Sequence, residues 1–231
     1  MTFRSLIACC LLIFVQTTFA APNTVTQKQF IHSILKYAQS VNNQIKTDRE
    51  QLEDMHQKWV SGDALGPDET KWITQLAQSY GIKTFEPSNP KFWEKLQDRV
   101  DIIPSSLVIA QAIYESNWGR SRFSKQANNF FGQRCYKDGC GIIPLQRAAN
   151  DRYEIRQFKN QQASIRSYIH NLNTHANYHD LRQLRLKMRS SQKAPSGTVL
   201  AKGLQTYAEQ STYVQGIQSI INTYHLSKYD A

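Results

Sequence analysis

The stretch "PSSLVIAQAIYESNWG", residues 104–119, decides the fold. From Leu107 to Ile113 it is almost wholly apolar, the pattern of a helix made for burial. Pro104 suits the first turn, Ser105 or Ser106 can cap it, and Gly119 helps stop it. One carboxylate, Glu115, stands where the apolar run gives way. At about 100° per residue it lies over Val108, Gln111 and Ala112, and Trp118 can cover the same side. Two readings stand side by side. Glu115 is either a solvated residue at the helix end, paired with Arg120 or Arg122, or an acid in a low-dielectric cleft. In the second case lost hydration disfavours the charged form, raises the pKa and keeps a proton available near neutral pH.

Outward from that helix the chain reads as mainly α. Upstream, Phe30, Ile31, Ile34, Leu35, Ala38, Val41, Ile45, Leu52 and Met55 recur at helical spacing, giving one long helix or two joined near Thr47. Pro67, with Asp68 and Glu69, opens a second helix through Tyr80, and "KFWEKLQDRVDII", residues 91–103, continues the pattern. Downstream, Gly139, Gly141, Pro144 and two cysteines break the helical pattern between Gln133 and Phe158, while "YEIRQF" alternates, which predicts a small β-hairpin lobe. Helical segments return at 163–172, 179–189, 197–208 and 213–226. A soft boundary near Ser88 to Pro90 separates a helical region, residues 21–88, from residues 89–231.

The first 20 residues read as an export leader: Arg4, the apolar "LIACCLLIFV", and "TFA" ahead of a cleavage site after Ala20. That apolar run is shorter than the roughly 20 residues of a membrane span, so no stable membrane span is expected. "LIAC" resembles a lipoprotein box only superficially, because little apolar sequence precedes Cys9. Export to the periplasm or cell envelope would leave Cys135 and Cys140, which flank a short turn and are expected to pair in an oxidising compartment. The formal net charge of +10 becomes +9 once Arg4 leaves with the leader, which favours an acidic partner. The basic residues are scattered and carry no zinc-finger or RNA-recognition signature, so nucleic acid is not the expected partner.

"SLVIAQAIYESNWGRSRFS", followed by "NNFFG", resembles the signature of the glucosaminidases of glycoside hydrolase family 73. These show Leu-Glu-Ser-Gly-Trp-Gly at a helix end and Asn-Leu-Phe-Gly before a β-lobe. Asn117 replaces the usual Gly and Phe130 the usual Leu, both of which resemble the Bax-type branch of exported proteins in that family. "YEIRQFKNQQASIRSYI" is similar to the family's strand-to-helix segment. "YAEQSTYVQGIQSII" has the spacing of its Tyr-Ala-Thr-Asp-Pro-x-Tyr motif, with Glu209, Gln210 and Ser211 in place of Thr-Asp-Pro. The resemblance covers residues 90–226. It implies a lysozyme-like α+β fold that cuts peptidoglycan glycan strands after N-acetylglucosamine, with Glu115 as catalytic acid; separately, a monomer without cofactor or metal is expected.

Glycoside hydrolysis also needs a group that captures or stabilises the oxocarbenium-like centre. Asp138, Asp151 and Glu154 are the carboxylate candidates in the lobe; Glu154 is favoured slightly among them, with a surface cross-strand role standing at least level with a catalytic one. Asp138 is better explained as a turn former. The alternative is the sugar's own 2-acetamido group, for which Tyr207 is the matching tyrosine, while Tyr213 reads as a core residue. Trp118 and Phe131 are candidates for stacking on a sugar or for packing, and Asn129 for binding substrate or capping a turn. Three competing functions remain. A lytic transglycosylase would carry a Gly-Leu-Met-Gln-like segment where "NNFFGQR" stands. A zinc amidase would use His175 and His179, with His170 nearby, but "HANYH" lacks the glutamate of the zincin pattern. A wall-binding protein would keep the fold without the chemistry.

Overall fold

The computed structural model describes residues 26–148, 150–207 and 211–230. The leader reading therefore lies outside the described residues, as do Glu209 and Gln210 of the C-terminal motif.

A single helix, α1 (Gln27–Val60), runs unbroken through Thr47. A capping box starts it: the Gln29 amide donates to Thr26 Oγ1 at 3.2 Å, and the Thr26 amide donates back to Gln29 Oε1 at 2.9 Å. At 34 residues it is about 51 Å long, long enough to serve two apolar clusters. Phe30, Ile34, Ala38, Val41 and Ile45 pack into the larger one with α4 (Ser105–Ser116) and α6 (Gln161–Thr174). Leu52 and Met55 pack into the smaller one, with Ile73 and Leu76 of α2 (Pro67–Ser79) and Phe92, Trp93 and Leu96 of α3 (Pro90–Arg99). Each fully buried side chain of this size contributes about 1.5–3 kcal/mol, so α1 ties the clusters together by its length.

Helix α4 is the centre of the larger cluster, with residues 105–113 all buried. Its N-terminus is satisfied from a distance. Asp230 accepts from the Ser106 amide at 2.9 Å and the Ser106 hydroxyl at 2.8 Å, so the cap comes from the far end of the chain rather than from Ser105 or Ser106. At its C-terminus Asn117, Trp118 and Gly119 take positive φ in succession (47°, 60° and 72°), which turns the chain sharply into α5 (Arg122–Ala127). A Cβ at Gly119 would stand 2.9 Å from the Phe30 ring, so glycine is required there twice over.

The expected hairpin lobe is a three-stranded antiparallel sheet. Strands β1 (Arg134–Cys135) and β2 (Gly141–Ile142) both pair with β3 (Glu154–Arg156), in the order β1-β3-β2. The two cysteine-flanked strands do not pair with each other because the returning strand lies between them. Cys135 and Cys140 form the expected disulfide, with Cα atoms 6.3 Å apart.

After α6 come a 3-10 turn at Ala176–Tyr178, α7 (His179–Ser190), a short α8 (Gly197–Leu200), a second 3-10 turn at Ala201–Gly203, and α9 (Tyr213–Thr223). The segment expected as one helix over 197–208 breaks after Gly203, where a Cβ would stand 2.3 Å from the Leu181 amide nitrogen. The helix expected to reach residue 103 ends at Arg99 instead. Beyond it, the fully buried Asp101 accepts from Arg189 at 2.7 Å and lies 3.6 Å from Arg49 and 3.7 Å from Arg185. Arg185, itself buried, also donates to the carbonyls of Asp98, Asp101 and Ile102. This ionic knot joins α1, α3 and α7 with most of its donors satisfied. The architecture is thus mainly α with a small β lobe, as expected. Among the described residues no helix is long and apolar enough to cross a membrane.

Candidate active site

Gln111 and Glu115 are four residues apart on α4 and share one face of it. Helix α9 packs against α4 and sets its first residue, Tyr213, against that face. The buried Tyr213 hydroxyl donates to Glu115 Oε1 at 2.7 Å and accepts from Gln111 Nε2 at 2.8 Å. Behind it, the Tyr168 hydroxyl donates to Gln111 Oε1, so three side chains from three helices lead in sequence to one carboxyl group.

Aromatic rings enclose this chain of bonds. Tyr207 stacks on Tyr213 with centroids 5.4 Å apart and planes within 10°, and its hydroxyl donates to the Phe131 carbonyl at 2.9 Å. Phe131 stacks on Tyr168 at 3.9 Å, and Tyr114 meets Tyr213 edge-on at 5.1 Å. Burial pushes the Glu115 carboxyl above the usual carboxylate range, and the Tyr213 hydrogen bond pulls it partly back. Burial also raises Tyr168, Tyr207 and Tyr213, which favours the neutral, proton-donating form of each phenol. The second oxygen of Glu115 looks towards the turn before β1. A Cβ at Gly132, which has φ +66° and is exposed, would stand 3.9 Å from Oε2.

The arrangement suits proton donation: a half-buried carboxyl group, one oxygen anchored, the other near an open turn. A hollow of about 430 Å³ lined by Lys202, Gln205, Ser211 and Val214 also borders Tyr213. The larger hollow, about 610 Å³ along α1 by His32, Lys36 and Thr47, contains none of these groups.

The other candidates have different surroundings. Arg122 donates to the Ile143 carbonyl at 2.8 Å, so its pairing with Glu115 is not what forms. Trp118, half-buried with φ +60°, packs edge-on against Phe30 of α1 at 5.9 Å and Tyr224 at 4.9 Å. Phe131 is 2% exposed and spent on the Tyr168 stack. Asn129 is equally buried and satisfies four backbone groups: it donates to the carbonyls of Gln133 and Arg156 and accepts from the amides of Phe131 and Gln133. That is a turn clamp with no polar group left over.

Glu154 is buried, and its two oxygens accept from the amides of Gly139 at 3.0 Å and Gly141 at 2.7 Å, which holds its carboxyl below the usual range. Asp138 and Asp151 are exposed. The ring of His170 meets the Ser79 carbonyl at 2.7 Å, and His175 Nδ1 accepts from the Asn177 amide at 3.3 Å. Among the described residues, one grouping has ligand atoms close enough for a metal: Cys135, Cys140 and Glu154. Its sulfurs are bonded to each other and offer no thiolate.

Sequence reasoning passed over Gln111, Tyr168 and the part Tyr213 plays. Gln111 left a signal, a lone amide four residues before Glu115 on an apolar helix. For Tyr213 the expectation of a core residue holds for its ring and misses its hydroxyl. Nothing local distinguishes Tyr168 from any other tyrosine on a half-apolar helix.

A family model described as mannosyl-glycoprotein endo-beta-N-acetylglucosaminidase matches residues 90–226. Protein bax of Escherichia coli (strain K12) is 29% identical over 187 residues, which is 80% of this chain and 64% of that protein. Exo-glucosaminidase LytG of Bacillus subtilis (strain 168) is 31% identical over 148 residues, covering 58% of this chain and 49% of LytG. The chain therefore spans less than two thirds of the length of either relative. Among solved structures, the catalytic domain of the autolysin Auto from Listeria monocytogenes matches with a TM-score of 0.49 at 18% identity, over 92% of this chain and 91% of that one.

Proposed function

The chain belongs to the glucosaminidase family, and on that premise we propose that it is an exported peptidoglycan hydrolase with Glu115 as its general acid. The observation that carries this reading is the setting of Glu115, whose burial favours the protonated form while Oε2 stays near an exposed turn. Charge is consistent with an anionic wall polymer: residues 120–160, which include the lobe, hold nine Lys and Arg against three Asp and Glu. The relative LytG is named an exo-glucosaminidase, which supports cleavage of a glucosaminide bond.

Glu115 would pass its proton to the glycosidic oxygen as the bond to C1 breaks after N-acetylglucosamine. The sugar's 2-acetamido oxygen would close on C1, and water, deprotonated by the Glu115 carboxylate, would then open that ring. Substrate assistance is preferred because both oxygens of Glu154 are engaged by backbone amides, which makes it a clamp for the disulfide loop. Tyr207, bonded to the Phe131 carbonyl and stacked on Tyr213, would act as a buttress for Tyr213. Asn129, Phe131 and Trp118 would shape the site without touching the sugar.

The test is mass spectrometry of purified peptidoglycan digested by the wild type and by Glu115→Gln. New reducing N-acetylglucosamine ends from the wild type alone support the reading. Anhydromuramyl products would make the protein a transglycosylase, and no cleavage of any peptidoglycan would leave a wall-binding protein. Activity lost to a strong chelator would reopen the metal reading.

A further inference from the structure

We propose that Gln111 is a positioning residue that fixes which oxygen of Glu115 carries the transferable proton, acting through the Tyr213 hydroxyl and itself oriented by Tyr168. The inference rests on the reading of Glu115 as general acid.

An amide nitrogen only donates, so at 2.8 Å Gln111 Nε2 makes the Tyr213 oxygen its acceptor. The one Tyr213 proton is then committed to Glu115 Oε1, 2.7 Å away. A carboxylic acid whose Oε1 accepts must hold its own proton on Oε2, the oxygen beside the exposed Gly132 turn. Once Glu115 has given that proton away, Oε1 still accepts from Tyr213, and no donor in the chain has to turn over. The reversed amide would present Gln111 Oε1 to Tyr213 and draw its proton away from Glu115. An ionised carboxylate, which only accepts, would then face a hydroxyl with no proton for it.

The demand of Glu115 for the Tyr213 proton sets the working orientation, and the Tyr168 hydroxyl, donating to Gln111 Oε1, holds the far end of the amide in it. Its ring is fully buried and stacked on Phe131, so the last link of the relay is anchored in the core. Among the described residues, the titratable groups coupled to Glu115 are phenols: Tyr213 from α9, Tyr207 from the preceding turn, Tyr168 from α6 and Tyr178 from the 3-10 turn. Beside these neutral phenols, the Tyr213 hydrogen bond is the contact that opposes the effect of burial on the acid.

Gln111→Glu tests this with almost no change of shape. A carboxylate at position 111 accepts from both tyrosines, so Tyr213 turns its proton from Glu115 to the new acid and the relay runs backwards. The expected result in the full chain is kcat on peptidoglycan lower by about 100-fold with KM within about twofold. The limb of the kcat profile on which activity falls with rising pH should move to higher pH. A carbon-13 NMR titration of the Glu115 carboxyl should show the same upward shift without substrate. Tyr168→Phe, which removes one hydroxyl, is the second variant should Gln111→Glu fail to fold, and a kcat loss of about fivefold at constant KM is expected. An unmoved Glu115 titration and unchanged kcat in the folded variant would overturn the relay while leaving Glu115 as the acid. A wild type without activity, or an active Glu115→Gln, would instead overturn the reading of Glu115.

Discussion

The Tyr213 hydroxyl lies 2.7 Å from Glu115 Oε1, across 98 residues of sequence. This contact opposes the effect of burial on the acid, since a donor favours the ionised form and desolvation favours the neutral one. Tyr213→Phe keeps the ring and removes the donor. The Glu115 pKa should rise further, and kcat should fall about tenfold, the scale of one hydrogen bond to a charged group. A kcat profile against pH, with its basic limb displaced upward in the variant, checks this.

Glu115 also has a stability consequence with a definite sign. Its folded pKa is raised, so its contribution is intact below the unfolded value of about 4.3 and is lost as pH rises through the folded value. Glu115→Gln should therefore melt above the wild type at pH 7.5, with the difference closing at pH 4. In a chain of this size each kcal/mol gained moves Tm by about 2–4 °C. Activity should drop by about 10²–10⁴. Calorimetry at the two pH values decides it, and a variant less stable than wild type at pH 7.5 would refute the desolvation argument.

Glu154 has the opposite sign. Its folded pKa is lowered by the amides of Gly139 and Gly141, so the clamp is in force above the unfolded value and is lost as pH falls through the folded one. Glu154→Gln should keep kcat within about threefold, yet at pH 8 the Cys135–Cys140 disulfide should be reduced faster by dithiothreitol than in the wild type. A 10² loss of kcat with the lobe intact would return Glu154 to the chemistry.

Asp101 sits away from the site and bears on the fold. Replacing it with Asn leaves the buried Arg185 facing a neutral amide, and breaking a buried pair this way costs about 3–5 kcal/mol. The Asp101 carboxyl is held below the usual range by Arg189, Arg185 and Arg49 against the pull of burial, so the wild type should also lose this stability on acidification. Urea unfolding at pH 7 measures the first effect. Activity per folded molecule should be unchanged.

What the sequence determined is what short-range physics sets. The apolar run over Leu107 to Ile113 made α4 a buried helix, the recurrence from Phe30 to Met55 made α1, and the cysteine pair made a stapled loop. Each depends on periodicity, caps or loop closure within a few turns of chain. The two acids in the site region, Glu115 and Glu154, stood as candidate partners on the family resemblance, not on local pattern. Only the tertiary structure separated them: one is anchored by a single phenol, the other spent on two backbone amides. The same holds for the tyrosines. Tyr207 and Tyr213 share a motif, but the packing of α9 on α4 decides which hydroxyl meets Glu115, and the ring of Tyr207 is left to stack behind it. A contact across 98 residues depends on helix rotation and crossing geometry, which follow from how whole faces pack rather than from any residue's neighbours in sequence.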